Sequence, residues 1–274
     1  MPDMTLPPIS LHYEVDGAGP PLLMLAGMLS DSASWGPIVG PLADHYTVIR
    51  PDNRTTGRTT PRDAPVSIAQ MAQDALALMG HLGHARFHVL GHSMGGLMAM
   101  EMAGLAGDRV ASLNILASAP VPVPRTMAMF ETLLDIRRAP GGEELWLRAL
   151  YPWAFRPAFF IDPANTETAL TAALQYPHAQ TIDAMALQLT ALSSFRPKTR
   201  ARDITQPTQV LFADHDLMIP EEAGRAAFAS MPNVTQHTIA DAGHSLHWDQ
   251  PEAVTGRVLE FLAQHPLDGS APDA

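Results

Sequence analysis

The chain has 274 residues, of which 46% are apolar and only 16% charged, enough for one large core and unlike the composition of a disordered polypeptide. Its formal charge of -11 repels phosphate backbones and anionic lipid, so nucleic acid and membrane surfaces are poor partners and a small neutral or apolar molecule fits better. Cysteine is absent, which removes disulfides, thiolate metal sites and a cysteine nucleophile together.

Residues 1–10 contain the adjacent prolines Pro7 and Pro8 and no continuous apolar run, so they do not read as a signal peptide. With no run of about 18 apolar residues anywhere, a cytoplasmic location is the default expectation. Short apolar, β-branched runs at residues 22–25, 47–50 and 87–90 predict strands. Between the second and third, Ile68, Met71, Ala72, Ala75, Leu78, Met79 and Leu82 recur at helical spacing, and Gly83 is placed to cap that helix. A further helix is expected over about residues 95–106, and residues 110–116 read as a fourth buried strand. This alternation is the pattern of βαβ units, hence an α/β fold with a mainly parallel sheet flanked by helices.

From about residue 120 to 201 the β-branched runs vanish and the pattern turns helical, punctuated by Pro152, Pro157, Pro163 and Pro177. The expectation is a helical cap of residues 120–201 inserted into a core formed by residues 1–119 and 202–274. Lys198 is the only lysine and lies in a connector between Arg196 and Arg200, a poor setting for a Schiff-base cofactor. Strands resume at residues 208–212 and 234–239, and an amphipathic helix closes the pattern over about residues 251–264.

The chemistry is concentrated at Gly91-His92-Ser93-Met94-Gly95, directly after a predicted strand and directly before a predicted helix. A sharp turn there lifts a serine hydroxyl above the sheet, and glycines two residues to either side keep Cβ atoms out of the strained turn. Serine needs a base and an orienting carboxylate to become a nucleophile. Ala213-Asp214-His215-Asp216 and Asp241-Ala242-Gly243-His244 both follow strands, so their side chains emerge at strand carboxyl ends, where binding crevices of open α/β sheets lie. His244 follows a glycine in a tight turn, which favours it over His247 as the base; His92 reads as packing beside the serine. Asp214 and Asp216 both stand within reach of the acid role. His244 and His247 lack a third metal ligand, and neither metal nor cofactor is expected.

Residues 91–96, 213–220 and 243–251 resemble the nucleophile elbow, acid loop and histidine loop of the α/β-hydrolase superfamily, in the chain order Ser, Asp, His. Within it the chain is similar to small capped serine esterases and enol-lactone hydrolases, through Asp52-Asn53-Arg54 and Gly57-Arg58, although Thr55 stands where the family usually has glycine. The resemblance implies Ser93 as nucleophile, His244 as base and Asp216, by family spacing, as acid. It also implies an oxyanion hole of the Met94 and Met28 backbone N–H groups, with Ala26 in place of the family's histidine before Gly27, and Trp35 where the family often has one. Among the bulky cap residues, Trp153, Phe130 and Phe159 are candidates for substrate contact. The implied activity is hydrolysis of a small, largely apolar ester or lactone. Acyl transfer to an alcohol, carbon-carbon bond hydrolysis, thioester cleavage and peracid formation use the same triad, and a non-catalytic ligand receptor on this fold is the reading from another class. A serine rather than a carboxylate at the elbow disfavours epoxide hydrolysis and dehalogenation. Oligomeric state is not legible.

Overall fold

A computed structural model describes residues 3–267. The chain opens with β1 (Asp3–Leu6), β2 (Ile9–Asp16) and β3 (Pro21–Leu25), then α1 (Gly36–Ala43), β4 (Thr47–Pro51), α2 (Ile68–His81), β5 (Phe87–His92), α3 (Met94–Leu105) and β6 (Val110–Leu116). An entirely helical stretch follows, α4 (Pro124–Arg138), α5 (Gly142–Ala154), α6 (Pro163–Gln175) and α7 (Ile182–Ser193), called the cap below. The sheet resumes with β7 (Thr208–Ala213), α8 (Glu221–Phe228), β8 (Val234–Ile239), the short α9 (Leu246–Asp249) and α10 (Pro251–Ala263).

The eight strands form one sheet in the order β1-β2-β4-β3-β5-β6-β7-β8, parallel except where β2 pairs with β1 and β4. The strands predicted from β-branched runs are all present with ends shifted by at most two residues. The antiparallel pair at the start was not anticipated; Ile9, Leu11, Tyr13 and Val15 alternate with Ser10, His12, Glu14 and Asp16, the pattern of a strand with one solvated face rather than the continuous apolar run of the buried strands. Helices α1 and α8 were likewise not anticipated; each has only eight residues, too short for a clear period.

Alternation along the strands sends side chains into two layers. Leu23, Leu25, Val89, Leu113, Ile115 and Val210 pack with Met71, Leu78, Met98 and Met102 of α2 and α3. Leu22, Met24, Leu90, Leu116 and Leu211 pack on the other face with Ile38 and Leu42 of α1 and Val254, Val258 and Leu262 of α10. Covering both faces is what a parallel sheet requires, and it explains why β5 and β6 are buried along their whole length. Ser67 caps α2 by accepting the Gln70 N–H at 3.1 Å, and Gly83 beyond its other end adopts φ 78°.

After β3 the chain moves to one side to form β4, and β5 then pairs on the other side of β3. The loops leaving β3 and β5 therefore diverge, which opens a crevice above their carboxyl ends.

Candidate active site

Ser93 stands between β5 and α3 at φ 52° and ψ -119°, a conformation that L-residues rarely adopt. Close packing holds it there. A Cβ on Gly91 would collide with the Gly95 carbonyl, and a Cβ on Gly95 would collide with the carbonyl of Leu25 in β3. The Ser93 N–H donates to the Leu116 carbonyl of β6 at 2.9 Å, which ties the turn to the sheet. From this position α3 runs away from the hydroxyl and directs its positive end at it.

His244 Nε2 lies 2.9 Å from Ser93 Oγ, and His244 Nδ1 lies 2.9 Å from Asp216 Oδ2. A carboxylate only accepts, so Nδ1 carries the proton and Nε2 is left to accept from the serine hydroxyl. The second Asp216 oxygen accepts the N–H groups of Met218 at 2.7 Å and Ile219 at 3.0 Å, which fixes the carboxylate plane. Asp214 lies away from the histidine: its two oxygens accept the backbone N–H groups of Asp241 and Ala242, at 3.0 and 3.1 Å. It shapes the turn before His244, and those hydrogen bonds help hold its carboxyl below the usual range despite partial desolvation.

Three more rings pack behind this row. His92 Nε2 donates to the His244 carbonyl at 2.9 Å, so the residue before the serine grips the backbone of the residue facing it. His247 is buried 4.7 Å from His92 and 5.0 Å from Trp35, measured between ring centroids. Burial, together with the neighbouring histidines, pushes His92 well below the ordinary imidazole value, and burial pushes His247 down to about 3. Both are neutral wedges at physiological pH. No group of three or more metal-ligating side chains occurs among the described residues.

The loop after β3 brings Met28 and Gly27 against the elbow, and a Cβ on Gly27 would lie 3.1 Å from Ser93 Cβ. Residues 27–30 form a tight turn in which the Ser30 N–H donates to the Gly27 carbonyl at 3.4 Å. Met28 and Met94 are both buried, in the same apolar cluster as Phe130, with Trp153 packed at its edge. Phe159 stacks on Phe155, which packs against the same cluster, at 4.5 Å and meets Tyr151 and Phe160 edge-on.

Several residues around this site, Arg156, Asp249, Asp31, Tyr176 and Gln180, carry no motif and were missed by sequence reasoning. The Arg156 N–H and the Gly243 N–H both donate to one oxygen of Asp249, at 2.9 and 2.8 Å, and the Ser245 N–H donates to the Ala154 carbonyl at 2.8 Å. Arg156 also pairs with Asp241. On the other flank, Tyr176 donates to Asp31 at 2.8 Å, and burial plus the neighbouring Asp52 charge raise the Asp31 carboxyl. Asp52 is itself fully buried, accepting the N–H groups of Ser32 at 2.9 Å and Arg58 at 2.7 Å. Thr55 takes φ 72°, which explains why glycine is usual at that place, and Gln180 donates to both its carbonyl and hydroxyl at 3.2 Å.

The family profile described as "Alpha/beta hydrolase family" matches residues 22–257, from β3 to the middle of α10. The chain belongs to that family. Among its curated relatives is one from Caulobacter vibrioides named "Putative carbamate hydrolase RutD", 29% identical over 258 residues that cover 92% of this chain and 95% of the relative. Among solved structures, a thermophilic esterase from Thermogutta terrifontis is 26% identical and superposes with a TM-score of 0.83 over 97% of this chain and all of the other. An enol-lactonase from Burkholderia xenovorans LB400 is 24% identical and shares the fold at a TM-score of 0.83, covering 95% of this chain and 99% of its own. As a family hydrolase, the chain has its Ser93, His244 and Asp216 side chains in one hydrogen-bonded row. No helix among the described residues is long and apolar enough to cross a membrane.

Proposed function

We propose that this hydrolase cleaves a small, largely apolar carboxylic ester or lactone through an acyl-enzyme on Ser93. The observation that carries the reading is the continuous row Asp216–His244–Ser93, with both links at 2.9 Å. His244 Nε2 takes the hydroxyl proton as Ser93 Oγ bonds to the substrate carbonyl carbon, and Asp216 steadies the imidazolium. The backbone N–H groups of Met28 and Met94 receive the oxyanion. Collapse of the tetrahedral species expels the alcohol, or opens the lactone ring, with the proton returned by His244. Water then repeats the cycle and releases the acid. The reaction needs neither metal nor cofactor, and its partner is the small molecule itself.

The apolar character of the residues flanking Ser93 supports the substrate class, because Met28 and Met94 are buried in the main core cluster that also takes in Phe130, with Trp153 packed against it. Trp153, Phe130 and Phe159 are our candidates for contact with the acyl or alcohol portion. The likeness to a named esterase at 26% identity favours an ester. A second reading, hydrolysis of a carbamate, is favoured by the name of the Caulobacter relative at 29% identity, and it uses the same nucleophile on a less electrophilic carbonyl.

Turnover of a matched panel of p-nitrophenyl esters, lactones and a p-nitrophenyl carbamate separates the two, with a fluorophosphonate to report the nucleophile. We expect stoichiometric labelling at Ser93 and the highest kcat/KM on short apolar esters or lactones. Absence of labelling together with absence of turnover across the panel overturns the hydrolase mechanism in favour of a ligand receptor.

A further inference from the structure

Outside the Ser93 row, a buried polar cluster joins the cap to the loop after β3. Gln188 on α7 is fully buried, and its Oε1 accepts the Leu29 N–H at 2.9 Å and the Gln180 amide N–H at 3.2 Å. Gln180 also donates to Thr55, as described above. Because a backbone N–H only donates, the Gln188 atom facing Leu29 is its oxygen. The Gln188 nitrogen is then left buried without a hydrogen-bond partner among the described residues, and so is Gln180 Oε1. Unpaired buried amide atoms lower stability. A methionine would fill the same volume without them, so packing does not account for glutamine here.

What the cluster holds is the turn of residues 27–30. Leu29 adopts φ 68°, a conformation an L-residue keeps only when its surroundings impose it. At the other end of the turn, Gly27 is pressed against the elbow. Met28 is bracketed between the two anchors.

We propose that Gln188 is a positioning residue: its Oε1, steered by Gln180 and Thr55, holds the Leu29 peptide so that the Met28 N–H stays directed at the oxyanion above Ser93. The cap then completes the site as well as covering it. This inference rests on Ser93 being the nucleophile.

The test is Gln188→Met, which keeps the volume and removes the acceptor. Turnover of p-nitrophenyl acetate should fall about 10- to 100-fold in kcat with KM changed less than about 3-fold, the signature of an interaction made in the transition state. Affinity for a trifluoromethyl ketone, which becomes an oxyanion when Ser93 adds to it, should fall by the same factor, while affinity for acetate does not. A purely structural role would lower Tm and leave that ratio of affinities unmoved. Gln180→Met, one bond further out, should cost about 3- to 10-fold, and the double variant should be no worse than Gln188→Met alone. Should Gln188→Met fail to fold, Gln180→Met reads the same ratio. An unchanged kcat and an unchanged ratio in the folded variants overturn the proposal. Full turnover by Ser93→Ala would instead overturn the assignment of the nucleophile beneath it.

Discussion

Around Ser93 the chain is fixed by main-chain groups and by places where no side chain fits, whereas between cap and core the apolar packing is supplemented by the tips of long polar side chains. In the first region Gly91 and Gly95 leave no space for a Cβ and Gly27 leaves little, and the turns close through backbone hydrogen bonds to β6 and to Asp214 and Asp216. In the second, Gln188, Gln180, Tyr176 and Arg62 reach from one part of the chain to another more than 100 residues distant. The two kinds of restraint fail differently. Loss of a glycine destroys a shape, and loss of a polar tip loosens an alignment.

The sharpest test on the core side is Ser93→Ala, for which kcat should drop about 10^4- to 10^6-fold with an unchanged Tm and circular dichroism spectrum. Asp216→Asn should follow at about 10^4-fold in kcat, while Asp214→Asn should act mainly on Tm; a reversed pair of results would move the acid to Asp214. Gly95→Ala tests shape rather than chemistry. Its methyl group would meet the Leu25 carbonyl, so denaturant unfolding should show a loss of about 3 kcal/mol or more.

A smaller effect comes from the buried histidines. The unfolded chain takes up protons near pH 6.5, and His247, held down at about 3 by burial, does not. Stability is therefore complete at neutral pH and declines as pH falls from about 6.5 toward 3, by at most about 1.4 kcal/mol per pH unit for each such residue. His247→Gln should flatten that slope in denaturation midpoints measured from pH 7 to pH 5, and an unaltered slope would show that His247 is not the source. The least effect is expected on the cap side from Arg156→Ala. Its ion pair with Asp241 is partly exposed, so stability should change by less than about 1 kcal/mol. The same variant should lower kcat/KM several-fold by loosening the histidine loop, and a large stability loss with intact activity would erase the contrast between the two regions.

That contrast also explains what could be read from the sequence. Strands β3, β5, β6 and β7 are legible because burial on both faces demands largely apolar runs, the edge strand β8 because Val234, Thr235, Thr238 and Ile239 are β-branched, and α2 because Ile68, Met71, Ala75, Leu78 and Met79 mark a single face. Around Ser93 the legible residues are those whose spacing is dictated by local geometry: glycines flanking a strained serine, and turns that place Asp214, Asp216 and His244 after strands, the choice of Asp216 over Asp214 coming from the family resemblance. The antiparallel start carries the two-residue alternation of a half-buried strand rather than a continuous apolar run. Nothing local distinguishes Gln188 from any polar residue on a helix, since its role depends on a peptide 159 residues away. Thr55 departs from the family's glycine and is a strained residue held by Gln180.

The single Asp249 oxygen that clips cap to core has a practical consequence for anyone exchanging caps between relatives. A donor segment must present a carbonyl and an amide at the spacing of Ala154 and Arg156, because Ser245 and Asp249 are already committed to them. Position 243 must also remain glycine, since any Cβ there would stand 2.7 Å from the Phe155 carbonyl carbon. Chimaeras that respect those three positions should keep His244 in register, and those that ignore them will misplace it however well the new helices pack.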